Sequence, residues 1–160
     1  MARPALERTP EGDFLLTISA EEREMLRSLP GQLRELLGTG DPSLRRLSPP
    51  AHPDDARQEA EYRELVGQDL EAQRRQSLEV MEATIDAERL DKEQLSAWLA
   101  SLNDLRLVLG TRLDVTEEMY EEGLPERDRR SPVFALYLYL GWLEEQVVAA
   151  LAASLHDPRA

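Results

Sequence analysis

The stretch that decides the fold is SLNDLRLVLGTRLDV, residues 101–115. Its leucines recur at intervals of three and four residues, which is the spacing of one face of an α-helix. Continued towards the N-terminus, this spacing predicts a helix over residues 91–112, capped by Asp91. The positions predicted to face inward are Leu95, Trp98, Leu99, Leu102, Leu105 and Leu109. A helix of this length with one apolar face needs other helices to cover it, so the stretch predicts a helical bundle.

The same stretch carries the main candidate site residues, which are Asn103, Asp104, Arg106, Gly110, Arg112 and Asp114. Asn103, Arg106 and Gly110 share one strip of the helix, and Asp104 is expected elsewhere on its polar surface. Glycine inside a helix costs about 1 kcal/mol relative to alanine, so Gly110 either permits close packing or marks a helix break near Thr111. Three interpretations stay open. The arginines pair with carboxylates on other helices, the strip contacts a partner protein, or it lines a small-ligand pocket.

Working outward, the sequence predicts a single, mainly α domain over residues 1–160, a bundle of about five helices with a small N-terminal β-hairpin. The hairpin is expected over 3–18 and the helices over 19–37, 55–88, 91–112, 116–122 and 132–155. Ser19 and Glu22 form a capping box. Pro30 predicts a kink or two short helices within 19–37, and Ser131 followed by Pro132 is a typical helix start.

Two long helices carry the prediction of a homodimer. The 55–88 helix would be a rod about 45 Å long. Its one narrow apolar stripe consists of Tyr62, Val66, Leu70, Leu78, Met81 and Ile85, while residues 71–76 are expected mostly to face water. The last helix is apolar on every side from Val133 to Leu143, so it lies at the centre of the core or against a partner chain. We therefore expect antiparallel long helices in a homodimer.

The charge of the chain restricts its partners. The net charge is -13, and residues 54–160 account for -12 of it. Phosphate backbones repel such a surface, so no direct nucleic-acid contact is expected. The acidity favours a basic protein partner, or it serves only solubility.

The chain has no cysteine, which excludes disulfides and thiolate chemistry. The sequence shows neither an apolar run of about 18 residues nor an apolar segment near its start, so we expect no membrane span and a cytoplasmic location.

The residue types that carry catalysis do not form recognisable patterns in this sequence. Its only histidines are His52 and His156, and neither belongs to a Glu-x-x-His pair, so we expect no metal or cofactor. There is no Gly-x-Ser-x-Gly and no glycine-rich phosphate loop. We therefore expect a protein that is not an enzyme. The basic run RDRR, residues 127–130, is either a solvated loop or a dock for an acidic strip or a phosphate.

Several segments together resemble one bacterial family, the actinobacterial oxidation-sensing regulators of AosR type, formerly a domain of unknown function. The segments are RLSPPA (46–51), DD (54–55), EYREL (61–65), WL (98–99), LNDLRLVLGTRLDV (102–115) and YLGWL (139–143). The resemblance covers roughly residues 14–152 and adds Arg46, Trp98 and Trp142 as secondary candidate residues.

The resemblance implies a transcription regulator that contacts a sigma factor or RNA polymerase rather than gripping DNA alone. It also implies a setting near the Clp protease adaptor, so a Clp-linked adaptor is the alternative function. A small-ligand-binding helical protein is a third alternative. Oxidation sensing in the family uses cysteines, and because this chain has none, redox sensing is not carried over.

Overall fold

The computed structural model describes residues 4–47, 56–113 and 131–156, and it confirms a mainly α fold with a small N-terminal sheet. The strands are β1 (Leu6–Arg8), β2 (Phe14–Leu16) and β3 (Arg89–Leu90). The helices are α1 (Ala20–Arg27), α2 (Leu29–Leu36), α3 (Ala56–Ala83), α4 (Lys92–Arg112) and α5 (Pro132–Leu155), with a 3-10 turn at Pro42–Leu44.

The predicted hairpin is present, and it belongs to a larger sheet than the sequence indicated. β1 and β2 pair antiparallel around a turn in which Gly12 has a φ of +94°. Phe14, Leu16 and Ile18 are buried, as their alternation predicts. The unpredicted β3 pairs antiparallel with the other edge of β2, placing Leu90 opposite Phe14. The hairpin is therefore tied to the middle of the chain.

This third strand explains why the predicted 55–88 helix is too long. α3 ends at Ala83, and the Ile85 N–H already bonds the Glu82 carbonyl three residues back. Arg23 of α1 then holds the connection in place, because its guanidinium donates to the carbonyls of Ile85 and Ala87 at 2.8 and 2.9 Å. The same guanidinium donates to the Leu16 carbonyl of β2 at 2.9 Å. Residues beyond α3 thus exchange helical hydrogen bonds for bonds to the sheet and to α1.

The predicted breaks and caps of the other helices are confirmed. Ser19 and Glu22 form a reciprocal capping box at α1. The 19–37 segment divides at Ser28 into two short helices, because Pro30 is accommodated in the first turn of α2. Asp91 caps α4 together with Gln94, and the Ser131 hydroxyl caps α5.

The core lies where α4 packs against both α3 and α5, with α2 and the sheet closing its ends. Its fully buried side chains include Leu26, Leu78, Met81, Leu90, Leu95, Trp98, Leu102, Leu140 and Leu143. One member of the predicted α3 stripe is wrong, because Leu70 is exposed. The predicted 116–122 helix, the 127–130 run and His52 lie outside the described residues, as do the side chains of Tyr62 and Val66.

Candidate functional site

A joint between α4 and α5 contains the central candidate, Arg106. Its guanidinium donates to the carboxylate of Glu144, whose side chain is only 12% exposed. The same group lies 5.7 Å from the centre of the Tyr137 ring, within cation–π range. It also covers Gly141, where a Cβ would lie 3.4 Å from the Arg106 Nε. Arg106 therefore joins two helices through charge and stacking.

Gly110 forms the second part of this joint. A Cβ at Gly110 would meet the Tyr137 ring at 3.2 Å and the guanidinium of Arg46, also at 3.2 Å. α4 continues through Gly110 to Arg112, so the glycine permits close packing and does not break the helix. The candidates Arg46, Arg106 and Gly110 thus meet around one aromatic ring.

Asp104 is buried, so the prediction that it lies on the polar surface of α4 is wrong. It is 7% exposed, and its carboxylate pairs with the Arg74 guanidinium of α3 at 3.4 Å. Arg74 also donates to the Leu47 carbonyl, so the ion pair fastens the segment before residue 48 to α3 and α4. Arg75 similarly donates to the Leu37 carbonyl at 2.9 Å. The 71–76 run was expected mostly to face water, but these two arginines hold backbone carbonyls.

Burial raises the pKa of Asp104, and the charge of Arg74 opposes this shift only in part. The Asp104 carboxyl of the folded protein therefore stays protonated at pH values where the same carboxyl in the unfolded chain has lost its proton. The stability that this protonation contributes is present in acid and is lost as the pH rises through the raised pKa. The Asp104→Asn variant cannot titrate at this position, so it does not lose this stability as the pH rises. The free energy of unfolding of the variant minus that of the wild type should therefore increase from about pH 4 to about pH 7, as measured by urea denaturation.

Asp86 provides a control of opposite sign for this experiment. A hydrogen bond from Arg27 lowers the pKa of Asp86. The stability that the ionised Asp86 contributes is therefore present above the pKa of the unfolded chain and is lost in acid. The Asp86→Asn variant should therefore lose stability relative to wild type as the pH rises. A relative stability of Asp104→Asn that stays constant or falls over this range would contradict the assigned burial of its carboxylate.

The remaining candidates of the 101–115 stretch lie outside the core wherever the structure describes them. Asn103 and Arg112 are exposed, and Asp114 lies outside the described residues. A hydrogen bond from Ser43 lowers the pKa of Asp41, and the charge of Arg112 adds a smaller effect, which places Arg112 near that loop. Arg106 lines an open surface groove and Arg112 is exposed, so among the described residues neither arginine of the stretch points into an enclosed apolar pocket.

The two tryptophans differ in role. Trp98 is fully buried and donates its Nε1–H to the Thr84 hydroxyl at 2.7 Å, so it belongs to the core. Trp142 is partly buried, and its ring lies 5.7 Å from the ring of Tyr139. It lines a groove of about 230 Å³ on the surface of the α4–α5 joint, together with Arg106, Leu138 and Glu145. Trp142 is therefore accessible to a partner, whereas Trp98 is not.

A longer groove runs between α3 and α4. It consists of two adjoining depressions of about 460 and 250 Å³ that share Ser77. The smaller depression is lined by Leu70, Gln73, Arg74, Ser77, Ala100, Asn103 and Asp104. We call this smaller depression the α3–α4 groove. It combines an exposed leucine, two amides and an ion pair, which is a mixed composition.

The outer face of α5 is more apolar. We define it by Ala135, Leu138, Trp142, Glu145, Val148, Ala149 and Ala152. Leu138 and Val148 are 51% and 48% exposed. By length and composition alone, α5 could cross a membrane, and a third of its most apolar window is buried in the protein. Buried helices of water-soluble proteins meet the same criterion, so the chain is not clearly a membrane protein.

Sequence reasoning missed the side chains that complete these contacts, namely Arg74, Tyr137 and Glu144. The available signal was the pair of glycines inside helices, Gly110 and Gly141, because a helical glycine often marks the close approach of a neighbour. Within the described ranges, no three His, Cys, Asp or Glu side chains are grouped as metal ligands would be. His156 is exposed just after α5.

In the described part of the chain, these features define a mainly helical domain in which Asp104, Arg106 and Gly110 lie at helix joints and the surface includes grooves and an apolar helix face. The chain belongs to the family described as domain of unknown function DUF2017, whose model matches residues 3–151. It is also similar to the oxidative stress regulator AosR of Mycobacterium tuberculosis strain H37Rv and to that of Mycobacterium bovis. Each is 31% identical over 133 residues, which cover 72% of this chain and 60% of the relative. No solved structure matches.

Proposed function

We propose that this protein is a non-enzymatic, cytoplasmic regulator that works through protein–protein contacts, as a transcription regulator that engages a sigma factor or RNA polymerase. The relatives named as oxidative stress regulators support a regulatory role. The chain spans 60% of their length, so their activity is carried over as part of this proposal. Without cysteine, any stress signal reaches this chain by a route other than thiol oxidation.

The observation that carries the proposal is the composition of the α3–α4 groove. Leu70, 41% exposed, supplies an apolar contact at its edge, while Gln73 and Asn103 supply amide donors and acceptors. Interfaces that form and dissociate are about as apolar as the rest of a protein surface, with polar groups around an apolar contact. The groove fits such a transient partner.

An ion pair forms the floor of the groove. The Asp104 carboxylate pairs with the Arg74 guanidinium at 3.4 Å and joins α4 to α3 beneath Asn103. We expect this link between the helices to limit the rearrangement that a partner must induce, which reduces the entropy cost of association. The net charge of -13 steers a basic partner surface towards the protein and repels DNA.

The test is affinity capture from the native cell with the full chain, under growth and under oxidative stress. Leu70→Glu and Asn103→Arg place a charge at the edge and at the side of the groove. Each introduces a charge that the bound partner would have to accommodate, and each should reduce recovery of sigma factor or polymerase subunits by about tenfold or more. Met25→Glu on α1 is the matched control, because Met25 is 40% exposed and lies away from the groove. It should leave recovery unchanged.

The outcomes separate the alternatives. Failure of the wild-type chain to recover a sigma factor or polymerase subunit under either condition would refute the transcription proposal. Recovery of Clp subunits in their place, with the same loss in the groove variants, would favour the adaptor function. Equal losses with Met25→Glu would show that the groove is not the contact surface.

A further inference from the structure

We propose that the outer face of α5 is the contact between two copies of this chain, which pack their α5 helices antiparallel about a twofold axis near Gly141. This inference uses a surface other than the α3–α4 groove and stands independently of the proposed regulator function. It specifies one occupant for an otherwise exposed apolar helix face.

The first argument is the composition of the face. Along the outer face of α5, Glu145 is the single charged side chain, and the other members are apolar or aromatic. Homodimer interfaces are more apolar than interfaces between proteins that also exist apart. The contrast with the mixed α3–α4 groove therefore assigns the second copy to α5 and a transient partner to the groove.

The second argument is the exposure of the face. It runs from Ala135 to Ala152, about 26 Å along the helix axis. Leu138 and Val148 are each about half exposed and lie almost three turns apart on this axis. A stripe of this length and about 10 Å width is smaller than a standard interface of about 800 Å² per partner, so we expect a weak dimer. Two helices packed along it would bury the stripe on both copies at once.

The third argument is charge complementarity. Two chains of net charge -13 repel each other, so their contact must be nearly neutral or self-complementary. The groove on the α4–α5 joint contains one cation, Arg106, and one exposed carboxylate, Glu145, beside Leu138 and Trp142. In a twofold contact, residue i of one copy meets residue j of the other, and j meets i. Opposite charges in the same groove can therefore form the same pair twice.

Helix geometry places these charges opposite each other. In an antiparallel pair centred between Gly141 and Trp142, Glu145 of one copy faces the helix turn that carries Leu138 in the other. The Arg106 guanidinium lies next to that turn, within 3.4–3.7 Å of the Cβ position of Gly141. In such a pair the Arg106 guanidinium, which bonds Glu144 within its own chain, lies close enough to attract the Glu145 carboxylate of the second copy.

A lipid bilayer is the competing occupant of an apolar helix face. Glu144 and Glu145 lie near the middle of α5, and charged side chains are strongly disfavoured at the centre of a membrane. Against a second copy the same carboxylates have arginine partners. The charges thus favour the protein contact over the lipid one.

The test measures the mass of the full chain in solution. The dimeric fraction of the wild-type protein should rise between about 1 and about 100 µM in sedimentation velocity and light scattering, as expected for a contact of micromolar affinity. Leu138→Glu and Val148→Glu should each be monomeric at about 20 µM, with unchanged helical circular dichroism because both positions are exposed. Glu145→Arg brings two arginines together and should raise the dimer dissociation constant at least about tenfold.

The control is Leu70→Glu, which introduces the same charge at a similarly exposed leucine on α3. It should remain dimeric while losing the proposed partner, whereas Leu138→Glu should lose the dimer while remaining folded. A monomeric wild type at about 100 µM, or a dimer that survives both Leu138→Glu and Val148→Glu, would overturn the proposal. So would wild-type protein that sediments with phosphatidylglycerol vesicles while remaining monomeric without them.

Discussion

Replacing Trp98 by alanine is expected to lower the free energy of unfolding by about 3–5 kcal/mol, the usual cost of removing a large aromatic side chain from a core. Trp98 is fully buried in the N-terminal half of α4 and belongs to the same core cluster as Leu95, Leu102 and the buried residues of α3. Its indole N–H also bonds the Thr84 hydroxyl at 2.7 Å, at the turn that ends α3. The variant therefore loses a packed ring and a link between α4 and the turn. Urea denaturation followed by circular dichroism measures the change.

Trp98→Phe is the matched control, because it keeps an aromatic ring and removes the N–H donor. We expect a loss of about 1–3 kcal/mol, from the hydrogen bond and the smaller ring. If Trp98→Ala lowered the free energy of unfolding less than Trp98→Phe, the result would contradict the burial of this side chain in the core.

Replacing Arg106 by methionine should lower the free energy of unfolding by about 2–4 kcal/mol. Methionine keeps much of the length but leaves the Glu144 carboxylate, 12% exposed, without its cationic partner. Removing one partner of a buried ion pair typically costs about 3–5 kcal/mol. We reduce that figure because the Arg106 side chain is itself 30% exposed and water screens part of the charge.

Two further variants identify the cause of that loss. Arg106→Met combined with Glu144→Gln removes the stranded charge and should recover part of the stability, so the two substitutions should be non-additive. Arg27→Met breaks an ion pair with Asp86, whose side chain is 66% exposed, and should change stability far less. Additive effects of the Arg106 and Glu144 substitutions, or an equal loss from Arg27→Met, would show that the joint does not depend on this pair.

Local signals in the sequence predicted the helices well. The caps at Ser19, Asp91 and Ser131 each depend on residues within four positions of one another, so the start of each helix is readable from a short window. The division of 19–37 follows from Pro30 in the same way. The proline ring and the capping hydrogen bonds involve residues that are close together in the chain, so a short window of sequence is enough to predict them.

Contacts made across the fold were not predictable in this way. β3 has two residues, too few to show alternation, and it exists because β2 and Arg23 lie beside it. Helical spacing gave the direction of Asp104 around α4, but that direction is buried only because α3 packs there. The same limit applies to Glu144 and Tyr137, whose role depends on the angle at which α5 meets α4. The dimer and the protein partner remain predictions that the proposed variants test.

The connection from β3 to β2 has a consequence for the order in which the chain is synthesised. The hairpin and Arg23 leave the ribosome roughly 60–75 residues before their partners at 85–90, so they lack these partners for several seconds at about 5–20 residues per second. During that time β2 has an open edge and Phe14 has no cover. The N-terminal hairpin of this protein therefore depends on the translation of residues 85–90, beyond α3, for protection from aggregation.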